Sequence, residues 1–157
     1  MLKGLVAALL ARVLVGLGHP EGSPGSILLT LALVGGVASI LGHVFTPWLR
    51  FRGGRGVATS LGVFLGIVPL PTLLAFALWG MLFALSKRVS VGSIGAALAY
   101  PFLVWALAGE ESRTLVTVVT GAIAVLVLVR HIPNIKRILS GTEPPTMRAR
   151  SPEGERS

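Results

Sequence analysis

The sequence predicts an all-α, polytopic membrane helix bundle, and three observations carry that prediction. Of 157 residues, 53% are hydrophobic and only 13% charged, about half the charged share of a soluble domain. Between residues 57 and 86 no side chain ionises, and residues 115–129 are almost entirely Val, Leu, Ile, Ala, Thr and Gly. Such runs suit hydrocarbon and exceed what a soluble core needs. The basic residues fall between the apolar runs and not on one polar face. The net charge of +8 therefore points to anionic lipid or an anionic substrate, and away from nucleic acid.

Six apolar segments follow in order: residues 2–17, 27–42, 57–68, 72–85, 94–108 and 115–129. The first reads as a span and not as a cleaved leader, because the hydrophobicity continues beyond it. Arg12 inside it must snorkel, pair or line a polar interior. Most segments are shorter than the roughly 20 residues that cross a bilayer, so flanking small residues are recruited or the bundle is thin. Small residues in "LVGGVAS" and "VGSIGAALA" suit close helix packing in lipid. At "PLP", Pro69 to Pro71, a helix running through would be about 45 Å long against a core of roughly 30 Å. A hairpin bent at the prolines is expected instead.

Charge supports the hairpin. With six crossings, Lys3, then Arg50, Arg52 and Arg55, then Lys87 and Arg88, then Arg130, Lys136 and Arg137 all share one side, which the positive-inside rule makes cytoplasmic. The opposite loops hold Glu21, Glu110, Glu111 and the single arginine Arg113. Residues 1–141 thus form a membrane-embedded domain, and 142–157, "TEPPTMRARSPEGERS", read as a disordered cytoplasmic tail lacking apolar periodicity. The absence of cysteine excludes disulfides, thiolate metal sites and a cysteine nucleophile.

Three stretches carry candidate chemistry. In "RFRGGRG" glycines let backbone N–H groups approach an oxyanion, arginines neutralise it, and the helix starting near Gly56 adds its positive end. The same loop read blandly is a positive-inside flank with packing glycines. Neither GxxxxGK[ST] nor GxGxxG is present, so it is not a nucleotide-binding loop. In "VRHIPNIKRILSGTE", His131 and Asn134 share a face if the helix continues, although Pro133 favours a local break. A stop-transfer flank uses lysines and arginines and has no need of His131 or Asn134. "LSKRVSVGS" with Ser90 and Ser93 reads alone as a cytoplasmic turn, and His43 as a buried histidine bonded to a neighbouring helix.

Taken together, "GHVFTPWLRFRGGRGVAT" and "RHIPNIKRILSGTE" resemble the central and C-terminal signatures of the bacterial acyl-phosphate-dependent glycerol-3-phosphate acyltransferases. "LKG" at residues 2–4 and "RVSVGS" fit the same pattern, so the resemblance runs to Glu143. Where that family usually has two lysines in the glycine loop, this chain has Arg52 and Arg55, which keep the charge and suit bidentate phosphate binding. Family members begin with a further membrane helix and a loop resembling GSGNIGATN, whereas here Met1 leads straight into "LKG". The chain then carries six of the family's seven helices, through truncation or a start at an internal methionine. It is expected to insert and fold but to be inactive or very weak.

The resemblance implies acyl transfer from acyl phosphate to the 1-hydroxyl of sn-glycerol 3-phosphate in the bacterial inner membrane, giving lysophosphatidate and phosphate for phospholipid synthesis. It implies a functional link to the enzyme that makes acyl phosphate, and no cofactor. Carried onto this sequence, Arg52, Gly53, Gly54, Arg55, Gly56, His43 and Ser90 bind substrate phosphate. His131 contacts phosphate or acts as general base, and Asn134 orients glycerol hydroxyls. No aspartate is present, so a His-Asp pair is unavailable, and a substrate phosphate oxygen is the other possible base. The rival reading is a non-enzymatic anion transporter or channel subunit that uses the same basic loops.

Overall fold

The computed structural model describes residues 25–45 and 55–146. The first apolar segment with Lys3 and Arg12, and the stretch holding Arg50, Arg52, Gly53 and Gly54, lie outside these residues. Among the described residues there are six helices and no strand: α1 Gly25–Val44, α2 Val57–Ile67, α3 Pro69–Ser86, α4 Val89–Leu107, α5 Glu110–Arg130 and α6 Ile132–Leu139. The first five match the second to sixth apolar segments, and α6 is the short basic continuation after the last of them.

Side-chain placement departs from that of a soluble bundle. Large apolar residues point outward, with Leu85 78% and Phe102 77% exposed, while Thr72, Ser90, Ser93 and Thr120 are buried. In hydrocarbon an outward leucine costs nothing, whereas every polar group must find a partner inside the protein. Among the described residues three stretches are long and apolar enough to cross a bilayer: Pro69–Ser86, Val89–Leu107 and Ser112–Arg130. At 1.5 Å per residue the 11 residues of α2 reach only about 16 Å, roughly half a hydrocarbon core. An apolar cluster containing Leu33, Ile40, Val63, Phe64, Val104, Val116 and Val127 joins α1, α2, α4 and α5.

Helix α4 packs most extensively on α3 and α5. At Gly92 an added Cβ would lie 2.8 Å from the backbone oxygen of Trp79, so the α3–α4 crossing requires a residue without a side chain. One residue later the Ser93 hydroxyl accepts a 3.3 Å bond from the Trp79 indole.

Four boundaries differ from those drawn on the sequence. Helix α4 starts at Val89 and α5 at Glu110, each five residues before the predicted apolar segment, because helical hydrogen bonding continues where the side chains turn polar. The expected turn at Pro69–Pro71 is a break at one residue, Val68 (φ −132°, ψ 76°), with the prolines inside the first turn of α3. Proline suits that position, since a first-turn N–H has no helical acceptor. Residues 142–146, expected in the irregular tail, dock on the α3–α4 turn: the Thr146 amide donates to Lys87 O at 2.9 Å, and the Val89 amide to Thr146 Oγ1 at 3.1 Å.

Candidate functional site

Helix α5 ends at Arg130 and α6 begins at Ile132, so His131 terminates one helix and precedes the next (φ −101°, ψ 2°). Pro133 falls in the first turn of α6, which explains why the sequence breaks here and then resumes as helix. The His131 ring is 1% exposed, and its Nδ1 lies 2.8 Å from Val127 O. A carbonyl can only accept, so Nδ1 carries the proton and Nε2 keeps a lone pair. Burial pushes the His131 pKa below the usual histidine value, against the Val127 carbonyl that raises it; the Arg55 charge lowers it and the Glu143 charge raises it. The ring is therefore neutral near pH 7 and able to accept a proton. Neighbouring Arg130 donates to Val44 O at 3.1 Å and lies over the Phe45 ring at 5.9 Å, tying the end of α5 to the end of α1.

Opposite His131 is the start of α2. Gly56, with φ +82°, precedes the helix, and no side chain caps it. A Cβ there would be strained by the backbone and would stand 3.1 Å from Val44 Cγ2. Among the described residues the first amides of α2 have no side-chain acceptor, and the exposed Arg55 is beside them, an arrangement suited to an anion. His43, Arg55, Gly56 and His131 all line one cavity of about 420 Å³. Its remaining wall is mainly apolar, including Phe64, Phe76, Trp79, Ala97, Ile123 and Val127.

Asn134 and Ser90, candidates from the sequence, are brought together but do not line this cavity. Both donate to Glu143 Oε1, Asn134 Nδ2 at 2.6 Å and Ser90 Oγ at 2.9 Å, while Arg137 Nε donates to Oε2 at 2.5 Å. Arg88 Nε adds a 2.9 Å bond to the Glu143 backbone oxygen. Burial alone would raise the Glu143 pKa, but the bonds from Arg137, Asn134 and Ser90 and the Arg137 charge hold it down at about 2. This carboxylate joins the α3–α4 turn and the start of α4 to α6. Sequence reasoning passed over it as the edge of a tail. One signal was available: Glu143 is the single acidic residue between Glu111 and Glu153, in a strongly basic stretch. The cavity polar residues Thr72, Tyr100 and Thr120 were likewise missed, each hidden in an apolar run.

The fold and the site define a multi-pass α-helical membrane protein with an arginine and a helix start beside a mainly apolar cavity. The chain belongs to the glycerol-3-phosphate acyltransferase family, whose sequence model matches residues 1–141. It is 47% identical to the glycerol-3-phosphate acyltransferase of Geobacter sulfurreducens and 44% identical to that of Geotalea daltonii, each over 142 residues that cover 90% of this chain and 66% of the relative. It thus spans about two thirds of the length of these curated relatives. Its fold is similar to the crystal structure of PlsY (YgiH), an integral membrane glycerol 3-phosphate acyltransferase, in the glycerol 3-phosphate form. The TM-score is 0.66 at 24% identity, covering 92% of this chain and 90% of that one. The lysophosphatidic acid form of the same protein matches with a TM-score of 0.65.

Proposed function

We propose that this protein transfers an acyl group from acyl phosphate to the 1-hydroxyl of sn-glycerol 3-phosphate, at the cytoplasmic face of the bacterial inner membrane. The observation that carries this reading is the buried His131, which lines the same mainly apolar cavity as Arg55 and the start of α2. That pairing suits a substrate with a phosphate head and a hydrocarbon tail. The relatives' names support it, as do the glycerol 3-phosphate and lysophosphatidic acid forms of the similar structure. An anion carrier would call for polar walls along its path, whereas most of this cavity's wall is hydrocarbon.

In the proposed reaction the glycerol hydroxyl oxygen attacks the acyl carbonyl, and the carbonyl–phosphate bond breaks with phosphate as leaving group. His131 Nε2 takes the hydroxyl proton. Acyl phosphate is already activated, so alignment and charge stabilisation suffice without a covalent intermediate. Arg55 and the backbone at Gly56 hold phosphate, joined by Arg52, Gly53 and Gly54 in the same loop, with His43 at the mouth. Asn134 and Ser90 act through Glu143 as positioning residues. The implied supplier of substrate is an enzyme that makes acyl phosphates. The test is purified protein, at 157 residues and at the length of its curated relatives, incubated with palmitoyl phosphate and glycerol 3-phosphate. Equal amounts of lysophosphatidate and phosphate are expected, and no lysophosphatidate at either length refutes the proposal.

Arg55→Ala should lower kcat/KM by about 1.5–3 kcal/mol, mainly as a raised KM for the phosphate substrate, because a charge-assisted contact is lost. Arg88→Ala should instead lower the unfolding temperature with KM little changed, since its guanidinium holds the Glu143 backbone. Similar small effects on KM from both would reduce Arg55 to a lipid-facing flank. The same proposal places the C-terminus in the cytoplasm. A reporter fused after Glu143 should read cytoplasmic, and a periplasmic signal would invert the site's placement.

A further inference from the structure

We infer that a hydrogen-bonded floor made by Thr72, Tyr100, Phe64 and Thr120 sets the acyl-chain length this protein accepts. The inference rests on the acyl-transfer reading of the cavity. One residue comes from each of four helices, α3, α4, α2 and α5, and all four line the cavity at its end away from His131. Thr120 lies eleven residues before His131 on α5, and Tyr100 eleven after Val89 on α4. At 1.5 Å per residue both place the floor about 16 Å from the polar mouth.

What makes it a floor is its bonding. The Thr72 hydroxyl donates to Val68 O at 2.7 Å, so in its 2.8 Å contact with Tyr100 it accepts, and the phenol is the donor. Val68 is the break between α2 and α3, which anchors the pair to a fixed point of the backbone. The Tyr100 ring meets Phe64 edge-on, with centroids 5.4 Å apart, and Phe64, Thr72 and Thr120 are buried. An acyl chain pushing deeper would separate the two hydroxyls at membrane depth, where no water replaces the lost partner. Up to the floor, each methylene entering the slot gains about fourfold in affinity; beyond it the gain stops.

The test uses stable acylphosphonates carrying lauroyl, myristoyl, palmitoyl and stearoyl chains, with dissociation constants measured on detergent-purified protein, so that no turnover is required. The unaltered protein should show a steep rise in affinity that levels at one chain length. Tyr100→Ala, which removes the floor, should move that break to a longer chain and improve the longest ligand relative to the shortest by on the order of tenfold, the worth of two methylenes. Ala97→Phe, which fills the slot one turn nearer the mouth, should move it to a shorter chain. Opposite shifts cannot come from general misfolding, and should Tyr100→Ala fail to fold, the Ala97→Phe shift decides. An unchanged break in the folded variants overturns the floor while leaving the acyl-transfer reading intact. No binding of any chain to the unaltered protein overturns both.

Discussion

Replacing His131 with Gln should lower turnover by on the order of 10²- to 10⁴-fold, the usual contribution of a positioned general base. Substrate binding and unfolding temperature should change far less. Glutamine can still donate to the Val127 carbonyl that now receives the Nδ1 proton, but its amide oxygen is a negligible base. The pH dependence gives a second reading. Burial depresses the His131 pKa, Val127 opposes this, and Arg55 contributes to the lowering, so the proton-accepting form persists to lower pH than for an ordinary histidine. The acid limb of kcat/KM should therefore fall below the usual value of about 6.5, and it should vanish in the variant, leaving only the substrate phosphate's own titration. A variant that keeps most of its turnover would remove His131 from the chemistry and leave a substrate phosphate oxygen as the base.

Glu143→Ala should destabilise the folded protein by roughly 3 kcal/mol, the largest loss expected from a single site outside the spans. The Arg137 pair is discounted, because that side chain is 44% exposed and solvent screens it. The main loss comes from Asn134 and Ser90, both buried, whose donors would have no acceptor. The acid dependence has a definite sign. A carboxyl held at about 2 in the folded state, against 4.5 ordinarily, gives stability that is fully present above pH 4.5 and is lost as pH falls from there toward 2. Thermal unfolding in detergent across that range should show the decline in the unaltered protein and not in Glu143→Ala. Matching curves would mean that Glu143 is not ionised in the cluster. Turnover should fall with stability, because residues 142–146 and α6 then lose their hold on the turn before α4.

The apolar runs determined the helices by themselves. Thirteen per cent charge and long non-ionising stretches leave few alternatives to membrane-spanning helices, since only satisfied backbones survive in hydrocarbon. That Arg55, Gly56 and His131 stand out was also legible, because their signal lies within a few neighbouring residues, and all three line the cavity. Boundaries were less so, as at Val89 and Glu110, where helical bonding outlasts apolarity. What only the tertiary structure decided is which distant residues meet. Ser90 and Glu143 are 53 positions apart and Thr72 and Tyr100 are 28, yet each pair shares a hydrogen bond, and nothing local to either partner encodes the other. Asn134 reads from sequence as a residue for substrate, but in the fold the nearest strong acceptor is a carboxylate nine residues on, and that acceptor takes its amide. The cavity is likewise a product of packing. Its mouth and floor are each assembled from several largely apolar helices, and only their crossing leaves a slot between them with arginine and histidine at one end and a tyrosine–threonine bond at the other.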